Sequence, residues 1–188
     1  MKKMTGKIIS MGLAASLLFT AVPMEPAQAE NKISETVTDS EAVDVNKDVS
    51  GERGAEKSNI KWELDGEKLK ITGTGKMEDY PSYYASPWYV CAPFITSVEV
   101  GEGVTSIGDC AFYEFSALES VSLPKTLERV GRGAFMGCSI LKEITLPNKV
   151  TKIDEYAFQD SGLTKVTLPA SLKELSDSAF GGCKMMES

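Results

Sequence analysis

Four cysteines, Cys91, Cys110, Cys138 and Cys183, are the first residues in this chain to suggest chemistry. Thiols can close disulfides, bind zinc or attack as nucleophiles, but each role needs a partner. No two of the four stand in a CxxC pair, and the 188 residues include no histidine. Ser-His-Asp and Cys-His catalysis are therefore excluded, and zinc would depend on carboxylates and scattered thiols alone. No paired carboxylates stand out either, and GEGVTSIG (101–108) lacks the spacing and Lys-Ser/Thr ending of a phosphate loop. Its glycines read as turn residues. The sequence calls for no catalytic residue, no metal and no cofactor.

LPKTL (123–127) resembles the start of a sortase signal, but Leu127 stands where that signal has glycine. Charge narrows the partners. With 27 acidic and 20 basic residues the formal net charge is −7, whereas phosphate backbones demand a basic surface. Nucleic acid is not an expected partner.

The elements that would position these residues come in four blocks. Residues 1–29 have lysines at 2, 3 and 7, an apolar run from Ile8 to Val22 and the A-x-A pattern of Ala27 and Ala29. That is a secretory signal peptide, cleaved after Ala29, and its apolar run is too short for a transmembrane segment. Residues 30–59 carry no aromatic residue and too few apolar ones to fold, so a disordered acidic linker is expected. It reads equally as a stalk or as a plain leader. Residues 60–94 open with alternation at Ile60, Trp62 and Leu64, then Leu69 and Ile71. This predicts a β-hairpin with a loop longer than two residues. An irregular segment rich in Tyr, Pro and Trp follows.

From residue 95 the chain repeats. Phe112, Phe135, Phe158 and Phe180 each follow an alanine and recur at 23, 23 and 22 residues. The units are 95–117, 118–140, 141–162 and 163–185, with a fifth starting at Met186. Each unit has eight apolar columns, and of the 32 positions only Ser161 departs. Ser161 sits where the third unit is one residue short, so a move to the rim is expected. The L-x-x-I-x-L segment predicts a strand, ended in three units by Pro124, Pro147 or Pro169. The A-F stretch predicts a short helical or 3₁₀ turn. One unit cannot bury its own flanks, so stacking is required, and it would align the phenylalanines as one core spine.

The unit L-x-x-I-x-L-P-x-x-L-x-x-I-x-x-x-A-F-x-x-C resembles the leucine-rich repeat of the BspA-like bacterial surface proteins. The resemblance covers residues 95–188, and WELDGEKLKITGTGKMEDY with PWY resembles the region before such repeats. It implies a mainly β leucine-rich-repeat solenoid with an N-terminal β-hairpin cap. It also implies a secreted or surface-displayed protein that binds other proteins, including host extracellular matrix or another cell surface, in adhesion.

Several residues follow as candidates. The solvent side of the strands presents Ser97, Glu99, Ser120, Ser122, Glu143, Thr145, Lys165 and Thr167, the expected protein-binding face. Tyr80, Tyr83, Tyr84, Trp88, Tyr89 and Phe94 either cover the first repeat or stack on sugars, the latter making the chain a carbohydrate-binding module. Cys138 and Cys183 share a column two repeats apart, roughly 10 Å, beyond the ~7 Å of a disulfide. Both are core. Cys91 and Cys110 are close enough in the scheme to be bridged or free. Finally, the chain stops soon after the fourth unit, which reads either as self-association through that end or as a truncated member of the family.

Overall fold

The structure, a computed structural model, describes residues 49–52 and 59–183. The segments read as signal peptide and as the start of a fifth unit lie outside them. Strand β1 (Val49–Glu52) falls inside the stretch expected to lack structure, and it pairs antiparallel with β2 (Lys61–Asp65). Strand pairing is made by backbone groups, and VSGE has a single apolar residue, Val49, which is why composition missed it.

β2 and β3 (Lys68–Thr72) form the expected hairpin, but its loop is Gly66-Glu67 alone, because Asp65 pairs with Lys68. The longer loop expected from the apolar spacing is thus corrected. The strands run one residue past their last apolar positions, and Gly66 at φ +59° supplies the positive φ of a two-residue turn. Trp62, Leu64, Leu69 and Ile71 are buried. β3 then pairs parallel with β5 (Ser97–Val100) in the register Leu69–Val98 and Ile71–Val100. Its apolar columns thereby continue those of the first repeat.

Two parallel ladders run from repeat to repeat. β5 pairs with β7 (Ser120–Ser122), and β9 (Glu143–Thr145) pairs with β11 (Lys165–Thr167). The second ladder is unbroken: β4 (Gly75–Lys76), β6 (Val104–Ile107), β8 (Arg129–Val130), β10 (Lys152–Ile153) and β12 (Glu174–Leu175) follow one another in parallel. Strand is the main regular structure among the described residues. The one helix among the described residues is a 3₁₀ helix at Tyr89–Phe94.

The A-F stretches are not helical, contrary to expectation. Left-handed residues stand before and after each Ala-Phe pair: Cys110 and Glu114, Gly133 and Gly137, Tyr156 and Asp160, Ser178 and Gly182, with φ from +54° to +75°. A helix cannot pass through such residues, so the stretch becomes consecutive turns. Alternate N–H groups point to the next repeat instead. Cys110, Phe112 and Glu114 donate to the carbonyls of Arg132, Ala134 and Met136 at 2.9, 2.9 and 2.8 Å. The turns thus form a third inter-repeat ladder.

The core lies between these ladders. Phe112, Phe135, Phe158 and Phe180 stack with centroids 5.2, 5.4 and 5.1 Å apart. Trp88 lies on Phe112 at 5.8 Å and 21°, and its Nε1–H donates to Ala111 O at 2.7 Å. Ser161 is buried, not at the rim. Its hydroxyl lies 3.3 Å from Cys183 Sγ. The missing residue is absorbed after it, at Gly162, where a Cβ would come within 2.2 Å of Ser139 O.

Candidate protein-binding face

Alternation along the strands, not any motif, positions this face. With Val98, Val100, Ile144 and Leu146 turned inward, the residues between them must turn outward. Ser97 pairs with Ser120 and Glu99 with Ser122, while Glu143 pairs with Lys165 and Thr145 with Thr167. All are exposed except Ser97, which is half-buried. Sequence reasoning missed two more members. Lys68 and Lys70 stand in register with Ser97 and Glu99. The signal was present, since Lys68 and Lys70 alternate with Leu69 and Ile71 as Glu99 does with its valines, but the hairpin was read apart from the repeats. Lys68 pairs with Glu99, and its hydrogen bond and charge hold that exposed carboxyl below the usual range.

The face is not continuous. Strand pairing lapses between β7 and β9, so β9–β11 is a separate two-stranded ladder. A groove of about 230 Å³ opens there. Ser120, Glu143, Thr145, Lys165 and Thr167 line it together with Glu119 and Val121.

Three acids converge elsewhere, which the sequence did not show. Arg129 donates to Asp79 at 2.9 Å, Asp109 at 2.5 Å and Asp154 at 2.5 Å. Desolvation opposes charge on Asp79, but the Arg129 bond and the Asp109 backbone N–H outweigh it and hold the carboxyl low. Desolvation likewise opposes charge on Arg129, and its acidic partners still raise its pKa. All three acids are charge partners of one guanidinium.

The cysteines form no bridge: Cys91, Cys110 and Cys138 are buried free thiols and Cys183 is a half-buried one. Burial pushes the Cys91 and Cys110 thiols up, and that of Cys138 to about 12. Nucleophilic attack needs the thiolate, which these environments disfavour. Cys138 Sγ donates to Phe112 O at 3.3 Å and Cys183 Sγ to Phe158 O at 3.2 Å. Among the described residues no group of three or more Cys, Asp or Glu is placed to hold a metal ion. No described helix is long and apolar enough to cross a membrane. Leu127 of the LPKTL stretch and Val130 just after it are fully buried core.

The aromatic residues divide. Trp88 and Tyr80 are buried, so Trp88 offers no platform for a sugar. Tyr83, Tyr84 and Phe94 are exposed. Tyr83 stacks on Tyr113 with centroids 4.0 Å apart. It also lines a cavity of about 410 Å³ with Arg132, Met136 and Tyr156.

The repeat is shared with known proteins. Residues 88–188, more than half the chain, match the BspA type leucine rich repeat region in six copies. The chain belongs to this family. The match begins seven residues before the first Ala-Phe-aligned unit, at Trp88, the residue stacked on the first phenylalanine. A leucine-rich repeat protein of Eubacterium ventriosum is similar at 26% identity and a TM-score of 0.58, over 74% of this chain and 43% of that one. A leucine rich cell surface protein of Faecalibacterium prausnitzii (24%, TM-score 0.56) is covered over 71% of this chain and 39% of its own. The leucine-rich repeat protein of T. pallidum (22%, TM-score 0.53) is covered over 71% and 68%. The latter two speak for the fold alone. The chain spans about two fifths of the length of the first two. No curated protein matches it significantly.

Proposed function

We propose that this family member is a non-catalytic, extracellular protein-binding module. Its repeats wind as a solenoid, residues 60–94 cap the first repeat, and the chain is exported by cleavage after Ala29. The observation that carries the reading is the strand face. Polar residues of the hairpin and the first two repeats stand in register on the outer side of one ladder, those of the third and fourth repeats on that of another, and most of them are exposed, while the thiols lie in or beside the core. The partner class is protein of the host extracellular matrix or of another cell surface, which makes the activity adhesion. Leu168 and Leu175, exposed on the fourth repeat, offer a surface for self-association. The test is binding to a panel of immobilised matrix and bacterial surface proteins by wild type and by Glu99→Arg/Thr167→Arg. At least tenfold loss in the variant is expected. Equal binding by both rejects the strand face.

A second reading, a carbohydrate-binding module, is favoured by the exposure of Tyr83, Tyr84 and Phe94. Trp88→Ala cannot test it, because Trp88 is core. Tyr83→Ala/Tyr84→Ala on a glycan array does, and an array without wild-type signal retires it.

A further inference from the structure

One position of the turn ladder is left-handed in every unit: Cys110, Gly133, Tyr156 and Ser178, at φ +54°, +58°, +60° and +56°. Three of the four carry side chains, so the conformation alone does not demand glycine at 133. Gly133 leaves the column without a side chain between Cys110 and Tyr156. A Cβ there would meet nothing closer than Cys110 Sγ at 3.8 Å. The cavity of about 410 Å³ opens at this point, walled by Pro81 and Tyr83 from the segment before the repeats and by Met136 and Tyr156. That size falls within the roughly 300–1,000 Å³ of small-ligand pockets.

Two kinds of group line it. Arg132 precedes the glycine, and its guanidinium lies over the Tyr156 ring, 5.7 Å from the centroid. Its side chain has one ion pair, a 3.8 Å contact of Nε with Glu155. The two terminal nitrogens therefore keep their N–H donors unused among the described residues. The ring steadies the guanidinium plane, and a planar fork with free donors matches a carboxylate. Asp109 lines the cavity too, but its carboxylate already accepts from Arg129 at 2.5 Å and from the Arg132 backbone N–H at 2.9 Å. Tyr83 is the second group. It is 44% exposed, and Tyr113 stacks on it at 4.0 Å. A tyrosine ring held in this way is an apolar platform with a polar rim, a surface that suits the C–H face of a sugar.

We propose that this cavity binds a sugar residue bearing a carboxylate, a uronic or sialic acid at the end of a glycan. The carboxylate takes the terminal nitrogens of Arg132, and the sugar ring lies against Tyr83. The proposal rests on the carbohydrate reading of the exposed aromatic residues, and adds to it the ligand's charge, the arginine and the cavity.

The test is a glycan array probed with the full chain. It carries glycans ended by a uronic acid or by a sialic acid, their carboxyl-reduced twins, and sulfated and neutral glycans. At least one carboxylated class should bind tenfold or more above its reduced twin, and the class that binds names the source. Arg132→Gln, Tyr83→Ala and Gly133→Tyr should each lose at least tenfold, whereas Tyr83→Phe should bind as wild type does. Thermal midpoints report folding; Arg132 and Tyr83 are exposed, so their variants decide the matter if Gly133→Tyr unfolds. Equal binding of the reduced twins, binding of sulfated glycans alone, or full binding by Arg132→Gln overturns the proposal. If neutral glycans bind and Tyr83→Ala/Tyr84→Ala abolishes this while Arg132→Gln does not, the carbohydrate reading stands and the carboxylate site falls. An array without any signal removes both.

Discussion

Ser178 is one of eight residues held in the left-handed region around the four Ala-Phe pairs, and one of five that are not glycine. An L side chain there costs roughly 1–2 kcal/mol, of which the greater unfolded-state entropy of glycine returns a part. Ser178→Gly should therefore stabilise the protein by about 1 kcal/mol, read as a higher urea midpoint at unchanged slope. A lower midpoint would mean that the turn is not left-handed at 178. The Arg129 network gives a second residue-scale expectation. Asp79 is held below the ordinary carboxylate value of about 3.9. Unfolding then takes up a proton, so the network's stabilisation is full above about pH 4 and is lost as pH falls through the lower folded value. Arg129→Met should be less stable at pH 7, with the gap to wild type narrowing below pH 4 in urea titrations. Without histidine, wild-type stability should stay flat between about pH 6 and 8.

The elements are held by two strand ladders, a turn ladder and the aromatic stack between them. The stack runs from Trp88 through the phenylalanines and so ties the irregular 73–94 segment to the repeats. Trp88 contributes a ring contact and one buried hydrogen bond, which can be separated. Trp88→Phe keeps the ring and leaves Ala111 O without its donor, a cost of about 1–3 kcal/mol. Phe135→Ala removes a ring packed on both faces and should cost about 3–5 kcal/mol. Thermal or chemical denaturation ranks the two. If Trp88→Phe were the worse variant, the bond rather than the stack would hold this segment.

Over the whole molecule, stability depends on neighbours, because each unit's flanks are covered by the units beside it. Leu146 and Leu168 occupy one column, yet Leu146 is 2% exposed and Leu168 46%. Leu146→Ala should cost about 2–5 kcal/mol and Leu168→Ala under about 1 kcal/mol, both by urea denaturation. Equal costs would place a cover over Leu168 that the described residues do not show.

The repeat was legible in the sequence because its cause is local. Apolar columns spaced to alternate, prolines after strands and an Ala-Phe pair every 22 or 23 residues are properties of one unit. The identity of Leu127 as core rather than as a broken sorting signal follows from the same column. The left-handed pairs were not legible, since Cys110, Gly133, Tyr156 and Ser178 share a conformation but no chemistry. Nor was the Arg129 cluster, whose acids come from residues 79, 109 and 154 and meet only once the ladders set their register. Ser161 looked like a misfit and is buried, because Gly162 absorbs the missing residue. The break between β7 and β9 has no trace in Ser-Val-Ser or Glu-Ile-Thr, which alternate alike. A sequence determines which side of its own strand a residue faces, through the two-residue period of the pleat. Whether two such strands close upon one another is decided by the packing of whole repeats, and only the tertiary structure holds that information.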